Sequence, residues 1–272
     1  MAALIVGEPR GPDLWTLRSL FSGPCELYVV QALCYNEISR LRRPRRRLEK
    51  QGLFKAVSCW MGRSFVGGRE GKRASRILDQ LFDADFLREW WRQSGVCSFE
   101  VPHLNHPQCQ EVLESIVPDI ILLVSGGVLK SHIFNQAKLA ALNIHHGQAP
   151  LIRGVSSIVW GIIEDKRDWI GATIHVVDEG IDTGAILWRG APQLSAGDTA
   201  ATLCFRANVE AVAALLRLLE RYARGEKPAR WPTPAAEAST YRSTPGLGAW
   251  LKFLLLGRGR RARFLIDRAV QC

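Results

Sequence analysis

The amino-acid sequence predicts an α/β protein: an open, mostly parallel, Rossmann-like sheet with helices on both faces, followed by a C-terminal tail. Three observations lead there. Apolar runs short enough for strands alternate with amphipathic stretches long enough for helices. Two of the runs, "ALIVGE" and "DIILLVSGG", contain an unbroken apolar stretch shortly before glycine, as strands buried on both faces do. With 272 residues, 47% of them hydrophobic, the chain can bury a sizeable core.

Taken in order, "ALIVGE", "PDLWTLRSLF" and "CELYVVQAL" read as strand, helix and strand, the opening of a parallel unit. From Asn36 to about Arg76 the pattern is irregular and strongly basic, which predicts an insertion. "ILDQLFDADFLREWWRQSG" then has a helical period, "CSFEVP" reads as a strand, and "HPQCQEVLESIVP" reads as a helix with Val112, Leu113, Ile116 and Val117 apolar. After the strand "DIILLVSGG" come a helix over about Ser131 to Ala141, the short strand "ALNIH", the helix "SSIVWGIIED" and two strands, "GATIHVV" and "AILWRG", joined by "DEGIDTG". "GDTAATLCFRANVEAVAALLRLLERYARGE" is a long amphipathic helix, capped by Asp198 or Thr199 and ending near Gly225. "KPARWPTPAAEASTYRSTPG" is rich in Pro, Ala, Ser and Thr and reads as a surface linker. The expected organisation is an α/β domain over residues 1–228, with the insertion at about 36–76, then a linker and basic amphipathic tail over 229–272.

A formal net charge of +10 favours an anionic partner such as phosphate, nucleic acid or a membrane surface. The basic residues concentrate in "SRLRRPRRRLEK" and "GRGRRAR". The first contains Pro and no interleaved aromatic residue, so a solvated surface loop is expected there rather than a nucleic-acid contact. Seven scattered Cys without a C-x-x-C pair point away from a zinc knuckle or a redox dithiol and suit a reducing cytoplasm. "MAALIVGEPRG" meets Pro and Gly too soon for a signal peptide, and no apolar run approaches the ~20 residues of a membrane span, so a cytoplasmic location is expected.

In open parallel sheets ligands sit beyond the carboxyl ends of the strands. Two strands here end in "SGG" and "NIHH", so both endings point at one crevice. Asn143 and His145 project from the same face of their strand, and an amide and an imidazole there can converge on one oxygen. Asp182, in the glycine-flanked "GIDTG", can hold His145 in one tautomer and take up a proton. On spacing alone the same residues also suit a strand end and a turn with no chemistry. The other His residues form no ligand set, no metal is expected, and His175 in "TIHVV" is expected to be a strand residue outside the site.

"LNIHHGQAPLIRG", followed by "IGATIHVVDEGIDTGAIL" and "GDTAATL", resembles the folate-dependent formyltransferase family over about Val117 to Gly225. The resemblance implies 10-formyltetrahydrofolate as cofactor and transfer of its formyl group to a primary amine, with Asn143, His145 and Asp182 as catalytic residues. It also implies that "SGGVLK" and "DEGID" wrap the pterin, largely through backbone groups of Gly127, Val128, Leu129, Asp178, Glu179 and Gly180. The sequence departs from the family where His146, Gly147, Gln148 and Ala149 precede Pro150, in place of the Ser-Leu-Leu-Pro of many members. "VGEPRGPDLW" lacks the phosphate loop of the members that formylate a purine precursor. The residues after Lys227 are too few for the C-terminal β-barrel of the transfer-RNA formylating members.

The type left as most similar is the sugar N-formyltransferase. The expected substrate is therefore a small-molecule amine on a nucleotide-linked amino sugar, not a nucleic acid, with Arg153 as a substrate contact. Another small amine, or a non-catalytic basic α/β module that binds nucleic acid or an acidic partner, stands as the alternative. "GAWLKFLLLGRGRRARFLID" pairs apolar residues with clustered Arg. It is expected to lie against an anionic membrane face, against the domain itself, or against a second copy in a homodimer.

Overall fold

The apolar runs and amphipathic stretches become alternating strands and helices in the computed structural model, which describes residues 1–6, 9, 11–33, 53–61, 83–193, 198–231 and 239–255. The first half contains β1 (Ala2–Val6), α1 (Gly11–Phe21), β2 (Tyr28–Ala32), α2 (Leu53–Met61), α3 (Ala84–Gln93), β3 (Cys97–Val101), α4 (Pro107–Ile116) and β4 (Ile120–Val124). The second half contains α5 (Ser131–Phe134), β5 (Ala140–His145), β6 (Ile152–Gly154), α6 (Ser157–Glu164), β7 (Ala172–Val176), β8 (Ile186–Gly190), α7 (Ala200–Ala223) and β9 (Thr240–Arg242). A last helix, α8, covers residues 247–255.

Seven strands form one sheet in the order β3-β2-β1-β4-β5-β7-β8. β3, β2, β1, β4 and β5 are parallel, whereas β7 runs antiparallel to β5 and β8 antiparallel to β7. This is the Rossmann-like, mostly parallel sheet that the sequence predicts. Its strand order reverses between β1 and β4, and the crevice opens at their carboxyl ends. There Ser125 Oγ, just after β4, donates a hydrogen bond to Asp13 at the start of α1.

β4 is buried along its whole length, and its side chains feed two cores by alternation. Leu122 and Val124 pack on the side of Leu17, Leu20 and Leu215, from α1 and α7. Ile121 and Leu123 pack on the other side with Leu113 and Ile133, from α4 and α5. The long helix α7 starts at a reciprocal cap, as expected: Thr202 N donates to Thr199 Oγ1 at 3.1 Å and Thr199 N donates to Thr202 Oγ1 at 2.7 Å.

Three features differ from expectation. The helix expected to run to Ala141 stops at Phe134, because Lys138 N and Leu139 N donate to Pro118 O and Asp119 O and draw the chain into register beside β4. Within the basic insertion, residues 53–61 form α2, and the rest of residues 36–76 lies outside the described residues, as do residues 257–263 of the tail. The segment expected to be a surface linker forms β9 in its described part, and the described part of the tail takes one of its expected places, against the α/β domain. β9 pairs in parallel with β6, Phe253 of α8 is fully buried beside Ile158, Ile162 and Leu203, and Leu247 N donates to Ser58 Oγ of α2 at 3.0 Å. Among the described residues no helix is long and apolar enough to cross a membrane.

Candidate active site

β5 brings Asn143 and His145 to its carboxyl end, and the antiparallel return of β7 sets His175 opposite Asn143 and Thr173 opposite His145. The turn between β7 and β8 then carries Asp182 back to the same place. Gly184 sits so close to the Val176 carbonyl that any Cβ would overlap it, and Asp182 adopts φ 52°, a left-handed conformation that Asp tolerates better than most residues. Asp178 shapes the turn: its Oδ1 accepts from Gly180 N at 3.1 Å and from Thr183 Oγ1 at 2.7 Å.

The result is a four-residue cluster. Asp182 Oδ2 lies 3.3 Å from His145 Nδ1, and Oδ1 lies 3.4 Å from His175 Nε2. The Gly154 N–H donates to Asp182 Oδ2 at 2.8 Å, and Asn143 Nδ2 donates to His175 Nε2 at 3.1 Å. The outer ring nitrogens face carbonyls: His145 Nε2 is 3.1 Å from Ile152 O, and His175 Nδ1 is 2.9 Å from Val176 O. A carbonyl and a carboxylate both accept, so each ring stands between two acceptors, Asp182 on its inner side and a backbone carbonyl on its outer side.

Burial pushes the pKa of His145 down to about 4, against the pull of the Asp182 charge, so the ring is neutral at pH 7. Burial would raise the Asp182 carboxyl, but the His175 hydrogen bond, the His145 ring and the Gly154 N–H outweigh it and hold the group below the ordinary carboxylate range. At neutral pH the cluster therefore holds an ionised carboxylate between two imidazole rings.

The cluster lies on one wall of a cavity of about 630 Å³, whose apolar surface includes Leu123, Ile144 and Val177. Gly127, Val128 and Leu129 border it on one side, Asp178 and Gly180 on another. Glu179 is not in the lining. A Cβ at Gly127 would meet nothing within 4 Å, so the backbone there faces open space. Asn105 holds this loop in place, with Nδ2 donating to Val128 O at 2.9 Å and Oδ1 accepting from Lys130 N at 2.7 Å.

Two expectations need correction. His175, expected outside the site, is at its centre, because the antiparallel sense of β7 aligns it with Asn143. Arg153, expected to meet substrate, is turned to protein partners: its Nε donates to Ser239 Oγ at 2.7 Å and its Nη1 to Ile181 O at 3.3 Å, and it is not in the cavity wall. It braces the Asp182 turn against the start of β9.

The divergent loop after His145 has its own anchors. Gln148 Nε2 donates to Gly190 O at 2.7 Å, and Thr173 Oγ1 accepts from Ala149 N at 3.0 Å while donating to Gly147 O at 2.7 Å. A Cβ on Gly147 would stand 2.7 Å from both His145 Nε2 and Ser157 Cβ, so glycine is what lets Ser157 Oγ approach that nitrogen at 3.3 Å. Sequence reasoning also missed Tyr241, Trp250 and Phe253, which line the cavity from β9 and α8.

Compared with known proteins, the family model described as "Formyl transferase" matches residues 40–219. A methionyl-tRNA formyltransferase of Anaeromyxobacter dehalogenans is 34% identical over 137 residues, which is 49% of this chain and 44% of that relative. The chain spans about half or less of the length of the curated relatives it matches. Among solved structures, a phosphoribosylglycinamide formyltransferase from Anaplasma phagocytophilum aligns with a TM-score of 0.54 at 14% identity, covering 90% of this chain and 99% of that one. A sugar N-formyltransferase from a Shewanella species aligns with a TM-score of 0.50 at 16% identity, covering 89% and 76%. These last two likenesses are of fold, whereas the family match spans more than half of the chain and contains every residue of the Asn143, His145, His175 and Asp182 cluster: the chain belongs to the formyl transferase family.

Proposed function

We propose that the chain transfers a formyl group from 10-formyltetrahydrofolate to a primary amine, and that the amine belongs to a nucleotide-linked amino sugar. The observation that carries this reading is the proton-accepting cluster of Asn143, His175, Asp182 and His145 in the wall of a cavity bordered by both glycine loops. The cavity suits a folate. Its apolar wall accepts a flat ring, and Gly127 leaves a backbone edge that a Cβ would cover. When bound, the folate supplies the formyl carbon.

The rest falls to the protein. Backbone groups of Gly127, Val128, Leu129, Asp178 and Gly180 would hold the pterin. Asn143 Nδ2 has two hydrogens and gives one to His175, so the second is a donor for negative charge growing on the formyl oxygen. The attacking amine must shed a proton, and Asp182 with the inner nitrogen of His145 takes it. With that proton on His145 Nδ1, both ring nitrogens donate, one to Asp182 and one to Ile152 O, and the new charge sits beside a carboxylate.

Two points support the amino sugar. The formal charge of +10 favours an anionic acceptor, and a fold neighbour is described as a sugar N-formyltransferase. The test supplies 10-formyltetrahydrofolate with a panel of nucleotide amino sugars, a glycinamide ribonucleotide and an aminoacylated transfer RNA, and follows release of tetrahydrofolate. Release with a nucleotide amino sugar is expected. Release with the transfer RNA alone would overturn the acceptor, and no acceptor-dependent release from folded protein would overturn the reaction.

A further inference from the structure

One wall of the cavity comes from segments outside the cluster around Asp182. β9 supplies Tyr241, and α8 supplies Trp250 and Phe253. Tyr241 is half-exposed, and its ring packs at Gly154, where a Cβ would stand 2.9 Å from Tyr241 Cε2. The N–H of that glycine donates to Asp182 Oδ2 at 2.8 Å, so this wall adjoins the cluster. Trp250 is fixed from behind. Its ring meets that of Phe253 edge to face, with centroids 5.5 Å apart, and Phe253 is fully buried beside Ile158, Ile162 and Leu203. The backbone N–H of Trp250 donates to Gly246 O at 3.0 Å.

One atom of this anchored side chain is left over. Among the described residues, Trp250 Nε1 is the buried side-chain nitrogen or oxygen without a hydrogen-bond partner. An indole N–H can only donate, and a buried donor without an acceptor is costly, so folded proteins keep few of them. The cost is accounted for where a ligand brings the acceptor, and Trp250 lines the cavity.

We infer that Trp250 selects the amine acceptor, its Nε1–H donating to a ring hydroxyl oxygen of an amino sugar. This rests on the formyl transfer proposed above and deepens it. On that reading the pterin belongs to the loops at Gly127 and Asp178, which are other segments of the cavity wall. The wall of Tyr241 and Trp250 instead adjoins Asp182 through Gly154, and Asp182 is where the amine loses its proton. A group held at Trp250 is therefore part of the molecule that carries the amine. Tyr241, Trp250 and Phe253 are uncharged and aromatic, which suits the apolar C–H face of a sugar ring, and the hydroxyl oxygens of that ring accept hydrogen bonds. An alkyl amine brings no oxygen for Nε1. A site built to hydrogen-bond a substrate hydroxyl rejects the analogue without it, because the site's own polar group is then left unpaired.

The test uses the full chain, the nucleotide amino sugar turned over fastest in the panel above, and its deoxy analogues, each lacking one ring hydroxyl. The parent is expected to lose at least about tenfold in kcat/KM with one of these analogues. Trp250→Phe, which keeps an aromatic ring but has no N–H, is expected to lose a similar factor with the complete sugar and to treat that analogue and the complete sugar alike. Its KM for 10-formyltetrahydrofolate is expected to stay within about twofold of the parent. A purely structural Trp250 would lower turnover of every acceptor together. Discrimination by Trp250→Phe as strong as that of the parent, or a rise in its folate KM equal to that for the acceptor, would overturn the inference. A second measurement needs no variant: in ¹⁵N-labelled parent the Trp250 indole N–H resonance, identified by its nuclear Overhauser contacts to Phe253, is expected to move downfield with the nucleotide amino sugar and to stay in place with 5-formyltetrahydrofolate alone. The reverse pattern would overturn the inference. If folded protein turns over no acceptor, the functional reading fails and the resonance alone decides: movement with a nucleotide amino sugar upholds the contact, and an unmoved resonance across the whole panel ends it.

Discussion

Replacing Gly127 with Val separates what this glycine does for the fold from what it does for a ligand. A Cβ there would meet nothing within 4 Å, and Gly127 is not among the positive-φ glycines, so neither packing nor backbone conformation requires it. Gly127→Val is therefore expected to stay within about 0.5 kcal/mol of the parent in stability. Its neighbour provides the contrast: a Cβ on Gly126 would overlap the Leu123 side chain, so Gly126→Ala is expected to destabilise by about 1–3 kcal/mol. For the ligand the order reverses. Val at 127 fills the space through which the backbone faces the cavity. One lost hydrogen bond of about 1 kcal/mol, with a similar loss of ring packing, gives about 2 kcal/mol, or roughly 30-fold in Kd. Calorimetric titration with 5-formyltetrahydrofolate, alongside a thermal melt, reads both quantities. A Kd within twofold of the parent in a folded protein would refute the assignment of this loop to the pterin.

Other changes test the cluster. Asn143→Ala, His145→Ala and Asp182→Ala are each expected to lower kcat by about 100-fold or more with KM for folate little changed, because they act on developing charge and on the proton; near-normal turnover in folded His145→Ala would exclude it from the chemistry. Gly147→Ala places a methyl group 2.7 Å from His145 Nε2 and is expected to lower kcat at least tenfold without loss of secondary structure, as steady-state kinetics and circular dichroism would show. Stability should fall with acid in a defined window. His145 titrates near 6.5 when unfolded and at about 4 when folded, so the unfolded chain binds more protons between these values and up to about 3 kcal/mol is lost as pH drops from 6.5 to 4. Asp182, whose folded pKa is depressed, adds a further loss only at lower pH. Urea denaturation of the parent and of His145→Gln across this range checks the point: an identical slope in the variant would remove His145 as the cause.

What could be read in the sequence, and what could not, follows from which interactions are local. β1 and β4 announce themselves because a strand buried on both faces needs an unbroken apolar run, and Asn143 and His145 share a face by the parity of a strand alone. The sense of β7 is a different matter. A strand has the same period of two whether it runs with or against its neighbour, so nothing in "GATIHVV" says that His175 will stand opposite Asn143. β9 is three residues long, below any periodicity, and owes its place to pairing with β6 and to the Arg242 guanidinium on Glu164 at 2.8 and 3.0 Å. Arg153 looked available for substrate because its two acceptors, on Ser239 and Ile181, are distant in sequence. The same distinction locates the open question about the acceptor. The family match ends at residue 219, whereas Tyr241, Trp250 and Phe253 lie beyond it and still line the cavity. The cluster to which the proposed chemistry is assigned lies in segments that carry the family pattern, and part of the cavity wall around it is built from a segment that does not. On the proposed function, residues 239–255 are therefore the segment in which to look for acceptor choice, and exchanging Tyr241 or Trp250 is expected to alter the KM for the amine more than the KM for folate.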